Sequence, residues 1–303
     1  MDALTGIAVD TFLTWLNSEI GSQYAAAGAG DPVVAVDQER QLAIEVRPLF
    51  PVDSDVSWNR RSDAVAAQLR EAGAGALELW IPPQTDLPRG DRTDFIRRIL
   101  QAAKGLLPGQ RGQAEFPVTL TLRRLSDEAS YVNVRGGLAP HWAKLTGRAF
   151  GQYELDSTAI HRLAEPESRI AELLDWVVLL GNGMKAGTTS EMKAEDAWTL
   201  RRPSRGDWTA VVGAPPGSDP GNGTAVRKLL RQALKEVAVH PSVPKSARAL
   251  VLVAVYRGIA EENATIALRS CDPTLYAGFD AICLVADGLC KPLHGVRRAA
   301  LGG

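Results

Sequence analysis

Two segments near the C-terminal end of the chain, 249–256 and 279–286, are apolar at almost every position. A strand that is apolar on both faces belongs in the middle of a sheet that helices cover on both sides. Helices are predicted over 3–26, 59–72 and 224–239, the first of which has apolar residues at helical spacing. The sequence therefore predicts an α/β fold with a mixed central β-sheet flanked by helices on both faces.

The length and patterning of the chain predict an interrupted core. Its 303 residues, 45% of them hydrophobic, are enough to bury a substantial core. Alternating residues predict strands over 118–123 and 131–135, which can pair antiparallel across a short polar turn. We predict a core part over 1–138, an insertion or second lobe over 139–221 and a C-terminal part of the core over 222–303.

The charge balance limits how a polyanion could bind. With 34 basic and 35 acidic residues, the net charge is −1, so binding would require a local basic patch rather than a global field. Four arginine pairs are candidates for such patches: Arg60-Arg61, Arg97-Arg98, Arg123-Arg124 and Arg201-Arg202. The predicted helix 224–239 carries a basic stripe, which can follow a phosphate backbone or form a solvated outer face. The stripe consists of Arg227, Lys228, Arg231 and Lys235.

The composition is typical of a soluble cytoplasmic protein. The chain has three cysteines with no metal-binding spacing, which favours buried thiols in a reducing compartment. No apolar stretch approaches the roughly 20 residues of a membrane span. Neither a membrane partner nor a particular oligomeric state is indicated. Five tryptophans in apolar settings are interpreted as core residues: Trp15, Trp80, Trp142, Trp176 and Trp208.

The segment 31–47 is the strongest candidate for a functional site, because it reads as two strands joined by a tight polar turn. Strand side chains alternate, so Glu45 and Arg47 point to the same side. Asp31 stands at the entrance of the preceding strand, and an antiparallel return brings it near them. Two carboxylates and a guanidinium can thus converge. Hard divalent cations such as Mg²⁺ prefer carboxylate oxygens and can activate water for phosphodiester cleavage.

These residues resemble the signature of the PD-(D/E)XK nuclease-like superfamily, an aspartate near the start of one strand and (Asp/Glu)-X-Lys on the next. The resemblance covers about a quarter of the chain, 3–81, and implies a restriction-endonuclease-like core. It implies Asp31, Glu45 and Arg47 as catalytic residues. It also implies Mg²⁺ or Mn²⁺ as cofactor, with Asp31, Glu45 and Glu19 as ligands, since the first helix of this family often supplies an additional acid.

Two departures from the family pattern leave more than one function open. The family usually has proline before the aspartate, whereas this chain has Asp31-Pro32. Arg47, which is always protonated, replaces the lysine of the family. Arginine cannot accept a proton from water but can stabilise charge on a phosphate. The chain is a metal-dependent nuclease-like protein acting on nucleic-acid phosphodiesters, a non-catalytic binding or interaction module on the same fold, or an α/β protein unrelated to nucleases. A further interpretation makes Glu45 and Arg47 an ion pair and Asp31 a turn cap, with no function.

Overall fold

The computed structural model describes residues 2–28, 30–38, 40–50, 55–215, 223–238, 246–255, 257–296 and 301. The described residues form seven α-helices and two mixed six-stranded sheets, which confirms the predicted α/β class. The chain divides into two compact units. Unit 1 consists of Met1–Gly112 and Thr199–Gly303, and unit 2 of Gln113–Trp198.

The α-helices, in chain order, are α1 (Ala3–Ile20), α2 (Val56–Glu71), α3 (Thr93–Ala103), α4 (Trp142–Leu145), α5 (Glu167–Gly183), α6 (Gly223–Ala238) and α7 (Arg257–Arg269). The strands are β1 (Ala25–Ala26), β2 (Val33–Asp37), β3 (Arg40–Pro48), β4 (Leu77–Trp80), β5 (Arg111–Ser126), β6 (Ser130–Gly136), β7 (Gly151–Ser157), β8 (Thr189–Arg201), β9 (Thr209–Val212), β10 (Ala247–Val253), β11 (Ala281–Ala286) and β12 (Leu289–His294).

Helix α1 is shorter than the sequence predicts. Its first turn is capped by the Asp2 carboxylate, which accepts a hydrogen bond from the Thr5 amide. Gly21 ends the helix in the left-handed conformation, with a φ of 69°. Glycine adopts this conformation without steric cost and commonly ends helices for that reason. The predicted helix over 3–26 is therefore too long, and its last residues form β1 instead.

The first sheet lies in unit 1 and has the strand order β1-β2-β3-β10-β11-β12. Strands β1 to β3 form an antiparallel meander, and β10 runs parallel to β3. Helix α1 packs on one face, and α6 and α7 pack on the other. Strand β11 is buried along its whole length and β10 from Ala249 onward, as their apolar sequences predict. Tyr256, the predicted end of one apolar run, lies outside the described residues.

A second group of strands in unit 1 is centred on β4. This strand pairs parallel with β9 and antiparallel with the last residues of β8, 199–201. All four residues of β4 are buried, and helix α2 contacts β9.

In unit 2 the strands follow the order β6-β7-β5-β8. Strand β7 lies between β5 and β6, antiparallel to the first and parallel to the second. The predicted antiparallel pairing of 118–123 with 131–135 is therefore wrong, because a strand that the sequence analysis did not recognise separates the two. Helix α5 packs on this sheet, where Leu174 and Val177 bury against residues such as Leu122.

The boundaries of unit 2 differ from those of the predicted lobe over 139–221. Strands β5 and β6, which the sequence analysis assigned to the core part, pair with β7 and so belong to the inserted unit. The unit ends at Trp198 because β9, included in the predicted lobe, pairs with β4 of unit 1. The predicted boundary at 221 lies outside the described residues. None of the helices in the described segments is long and apolar enough to cross a membrane.

Candidate functional site

The hairpin of β2 and β3 places Glu45 and Arg47 on one face of the first sheet. Val33 pairs with Ile44 across the hairpin, and Ile44 and Val46 belong to the core on the α1 side. Glu45 and Arg47 alternate with those residues and therefore face α6. Glu39, which stands between these two strands in the sequence, lies outside the described residues.

Arg47 is engaged by two carboxylates. Its Nη1 donates a hydrogen bond to Asp31 Oδ1 at 3.3 Å, and its Nε lies 3.8 Å from Glu236 Oε2 on α6. Nη1 also donates to the Val46 carbonyl at 2.7 Å. The Arg47 side chain is only 14% exposed, whereas Asp31 is 58% exposed. The sequence analysis did not identify Glu236, because it is distant in the chain and only the packing of α6 brings it close.

Glu45 pairs with Arg248 of β10, not with Arg47. Glu45 Oε1 accepts a hydrogen bond from Arg248 Nη2 at 2.6 Å, and the glutamate is 2% exposed. The guanidinium also lies over the Phe279 ring, 4.6 Å from its centre, and donates to the Val237 carbonyl at 3.3 Å. The predicted ion pair between Glu45 and Arg47 is therefore not formed. Glu45 is instead paired with Arg248 and is almost fully buried.

The predicted metal ligands do not fit a divalent cation. Asp31 and Glu45 each already bind a guanidinium, which would repel the ion. Glu45 Oε2 is buried and has no hydrogen-bond partner among the described residues. Mg²⁺ keeps several water ligands, for which an enclosed oxygen leaves no room. In the described part of the chain, no group of three or more His, Cys, Asp or Glu side chains could hold a metal ion.

Glu19 does not join the other predicted ligands. It is exposed near the end of α1, the helix that covers the Ile44 face of the sheet. Glu45 lies on the opposite face, toward α6. The structure thus brings Asp31 and Arg47 together, gives Glu45 a separate partner and leaves Glu19 on the other side of the sheet.

Replacing Glu45 with glutamine is expected to lower the free energy of unfolding by about 2–4 kcal/mol, since Arg248 would lose its anionic partner in a largely buried site. Urea unfolding with and without Mn²⁺ measures this. Asp94→Asn, which removes a charge from the exposed surface of α3, should change stability little. If Mn²⁺ stabilised the wild-type protein and Glu45→Gln abolished that effect, Glu45 would be a metal ligand after all.

A second charged cluster in unit 1 is almost inaccessible to solvent, and the sequence analysis did not identify it. Arg201 donates one hydrogen bond to Glu78 Oε1 and one to Asp10 Oδ2, both at 2.7 Å. The three side chains are 1%, 0% and 5% exposed, respectively. Two carboxylates thus share one guanidinium. Burial raises the pKa of Glu78 to about 7, although the charge of Arg201 acts in the opposite direction.

Further hydrogen bonds complete this buried cluster. The backbone amides of Ser204 and Arg205 donate to Asp10 at 2.9 and 2.8 Å. The indole N–H groups of Trp80 and Trp208 donate to Glu78 at 3.3 and 3.4 Å. The cluster therefore connects α1, β4 and the end of β8.

A sequence signal for the buried cluster existed. Glu78 interrupts the apolar run of β4, and Asp10 lies among the apolar residues of α1. A charge inside a fully buried strand requires a buried partner. The partner itself could not be chosen from many arginines without knowing which strands are neighbours.

Most of the predicted arginine pairs are engaged within the fold. Arg201 is buried, and Arg202 donates to the Ala74 and Ala76 carbonyls. Arg61 pairs with Asp86. Arg97 and Arg98 both bind Asp94, and Arg123 lies 3.9 Å from Glu154. The stripe on α6 is different, because it gathers four exposed cations on one helix: Arg227, Lys228, Arg231 and Lys235.

Comparison of the chain with protein-family models, with curated proteins and with solved structures found no match.

Proposed function

We propose that the chain is a non-catalytic nucleic-acid-binding module on a nuclease-like core, and that α6 contacts the phosphate backbone. The exposed basic face of α6 carries the proposal. Its opposite face is buried through Leu230, Leu234 and Val237, which fixes the orientation of the helix on the sheet. The cations therefore point to solvent in the folded protein.

The spacing of these cations suits a run of phosphates. Arg227, Arg231 and Lys235 are four residues apart, so they lie on one side of the helix, about 6 Å apart along its axis. Lys228 lies next to Arg227. These side chains line a surface depression of about 550 Å³. Glu236, an acid at its edge, lies 3.8 Å from Arg47, a cation that partly offsets its charge.

None of the described residues on this face is aromatic, which favours contact with the nucleic-acid backbone over base reading. Stacking of bases requires exposed aromatic side chains among the cations. Among the described residues, those that line the depression are all polar or charged. Contacts of this kind position a protein on nucleic acid without reading its sequence.

The first half of the resemblance supports a nuclease-like core, because α1 is followed by the antiparallel hairpin of β2 and β3. The helix and strand that the resemblance includes next, α2 and β4, do not continue this sheet, since β4 pairs with β8 and β9 and the strand beside β3 is β10. The catalytic alternative has less support. Glu45 is enclosed with Arg248, and Arg47 is held by Asp31 and Glu236.

Binding to duplex DNA, measured by fluorescence anisotropy across a salt series, tests the proposal. Each phosphate contact contributes about −0.9 to the slope of log K against log salt concentration, so four contacts predict a slope of about −3.6. The triple variant Arg227→Ala/Arg231→Ala/Lys235→Ala is expected to bind more weakly and to reduce the slope by about three.

The matched control is Arg97→Ala/Arg98→Ala, which removes exposed cations from another helix of unit 1. It should bind DNA like the wild type. Wild-type affinity in the triple variant would reject α6 as the contact. Cleavage of DNA that requires Mg²⁺ and disappears in Glu45→Gln would instead establish the nuclease function.

A further inference from the structure

Unit 2 exposes an unusual share of large apolar side chains. Among the described residues, six of the nine most exposed ones belong to this unit, which makes up less than a third of the chain. They are Leu125, Tyr131, Trp142, Phe150, Trp176 and Leu179. The interpretation of Trp142 and Trp176 as core residues is therefore wrong, since they are 50% and 61% exposed. Clustered exposed apolar surface commonly marks an interaction site.

Trp176 borders a groove in unit 2. The groove has a volume of about 420 Å³, and its apolar wall includes Leu163, Ile170, Leu173 and Trp176. Charged residues from α5 and β8 form its edge. A concave apolar surface of this size with a few polar groups is typical of a binding site.

The apolar surface continues beyond the groove. Leu179, 66% exposed, lies nearly one turn after Trp176 on α5. Phe150 is held beside the end of α5, where its amide donates to Asn182 Oδ1 at 2.9 Å. From Ile170 to Leu179 the helix extends about 13 Å. This length suits a peptide segment better than a small molecule.

Arg169, at the edge of the groove, is surrounded by more than one carboxylate. Arg169 contacts both oxygens of Glu115, at 3.1 and 3.2 Å, and Glu195 at 2.6 Å. Glu172 and Lys193 also line the groove. The lining itself therefore has two carboxylates and two cations, and Glu115, which binds Arg169 from beside the groove, adds a third carboxylate. Partial burial and the charge of Glu115 raise the pKa of Glu195, which is the effect expected of unbalanced acids.

We propose that this groove binds a peptide segment of a partner protein that carries arginine or lysine among apolar residues. The cationic side chain lies beside Glu195 and reduces its repulsion with Glu115. The apolar side chains cover Trp176 and Leu179. This site is separate from the basic face of α6, and it does not depend on nucleic-acid binding.

Fluorescence anisotropy of the full chain with a labelled amphipathic peptide built from leucine and arginine tests the site. Trp176→Ala and Glu195→Gln are each expected to weaken binding at least about tenfold, because the first removes the largest apolar contact and the second a charge partner. A matched peptide with glutamate in place of arginine should not bind. Thermal melts establish that both variants remain folded.

Trp142→Ala is the control, since it removes another half-exposed tryptophan of unit 2 that does not line the groove. It should bind the peptide like the wild type. Equal binding of the two peptides, or an equal loss in Trp142→Ala and Trp176→Ala, would overturn the proposal, as would the absence of any binding. Hexylamine that competes as strongly as the peptide would assign the groove to small amines instead.

Discussion

At a pH above 7, where Glu78 is ionised, replacing Arg201 with methionine is expected to lower the free energy of unfolding by about 3–5 kcal/mol, because it leaves two carboxylates buried without a cation. Asp10 and Glu78 each accept a hydrogen bond from Arg201 at 2.7 Å, and no solvent reaches the cluster to compensate. Such a loss is a large part of the 5–15 kcal/mol that typically stabilises a domain. Urea unfolding followed by tryptophan fluorescence measures it, since Trp80 and Trp208 both donate to Glu78.

Arg97→Met is the control for this experiment. Arg97 is 61% exposed and pairs with Asp94 on the surface of α3, so its loss should leave stability almost unchanged. A loss below about 1 kcal/mol in Arg201→Met would show that the buried cluster is easily rearranged, and would contradict the tight pairing described above.

The protein is expected to lose stability as the pH rises from about 4.5 to about 7. The pKa of Glu78 is raised from 4.5 to about 7 by burial. Between these values the folded state holds a proton that the unfolded state has released, so deprotonation by rising pH favours unfolding. A shift of this size corresponds to up to about 3 kcal/mol. Urea unfolding at several pH values across this window measures the trend.

Glu78→Gln removes the titrating group and should flatten the pH dependence in this window. Exposed acids act in a different window and with the opposite sign. Hydrogen bonds from Arg89 and neighbouring positive charges lower the pKa of Asp86 below its ordinary value of 3.8. The ionised Asp86 therefore stabilises the folded state, and this contribution is lost only when the pH falls below that ordinary value. Equal pH dependence of the wild type and Glu78→Gln would exclude Glu78 as the source.

The parts of the fold that were predictable are those in which burial leaves a direct trace in the sequence. Strands β10 and β11 are apolar on both faces, so their central position follows from composition alone. The hairpin of β2 and β3 was recognisable from alternation and its polar turn. Strand β7 was missed although its residues alternate, because the segment is short and only Tyr153 and Leu155 among its inward residues are large and apolar.

Partner choice within the candidate site could not be predicted. Glu45 and Arg248 are 203 residues apart in the chain, and they meet because β3 pairs parallel with β10, with Ala43 opposite Arg248. Strand alternation correctly predicted that Glu45 and Arg47 lie on the same face of the sheet. It could not indicate that Arg248, far along the chain, would form the ion pair with Glu45. Electrostatic pairing depends on register between distant strands, which local patterns do not encode.

The parallel pairing of β3 with β10 has a consequence for the order of folding during synthesis. Leu42 of β3 is matched with Ala247 of β10, so this pairing cannot form before the residues of β10 have been synthesised, about 200 residues after those of β3. Unit 2 is continuous in sequence and is complete long before that point. The edge of β3 that β10 covers in the folded protein is therefore unpaired in the nascent chain until β10 has been synthesised. Unpaired strand edges of this kind are prone to aggregate.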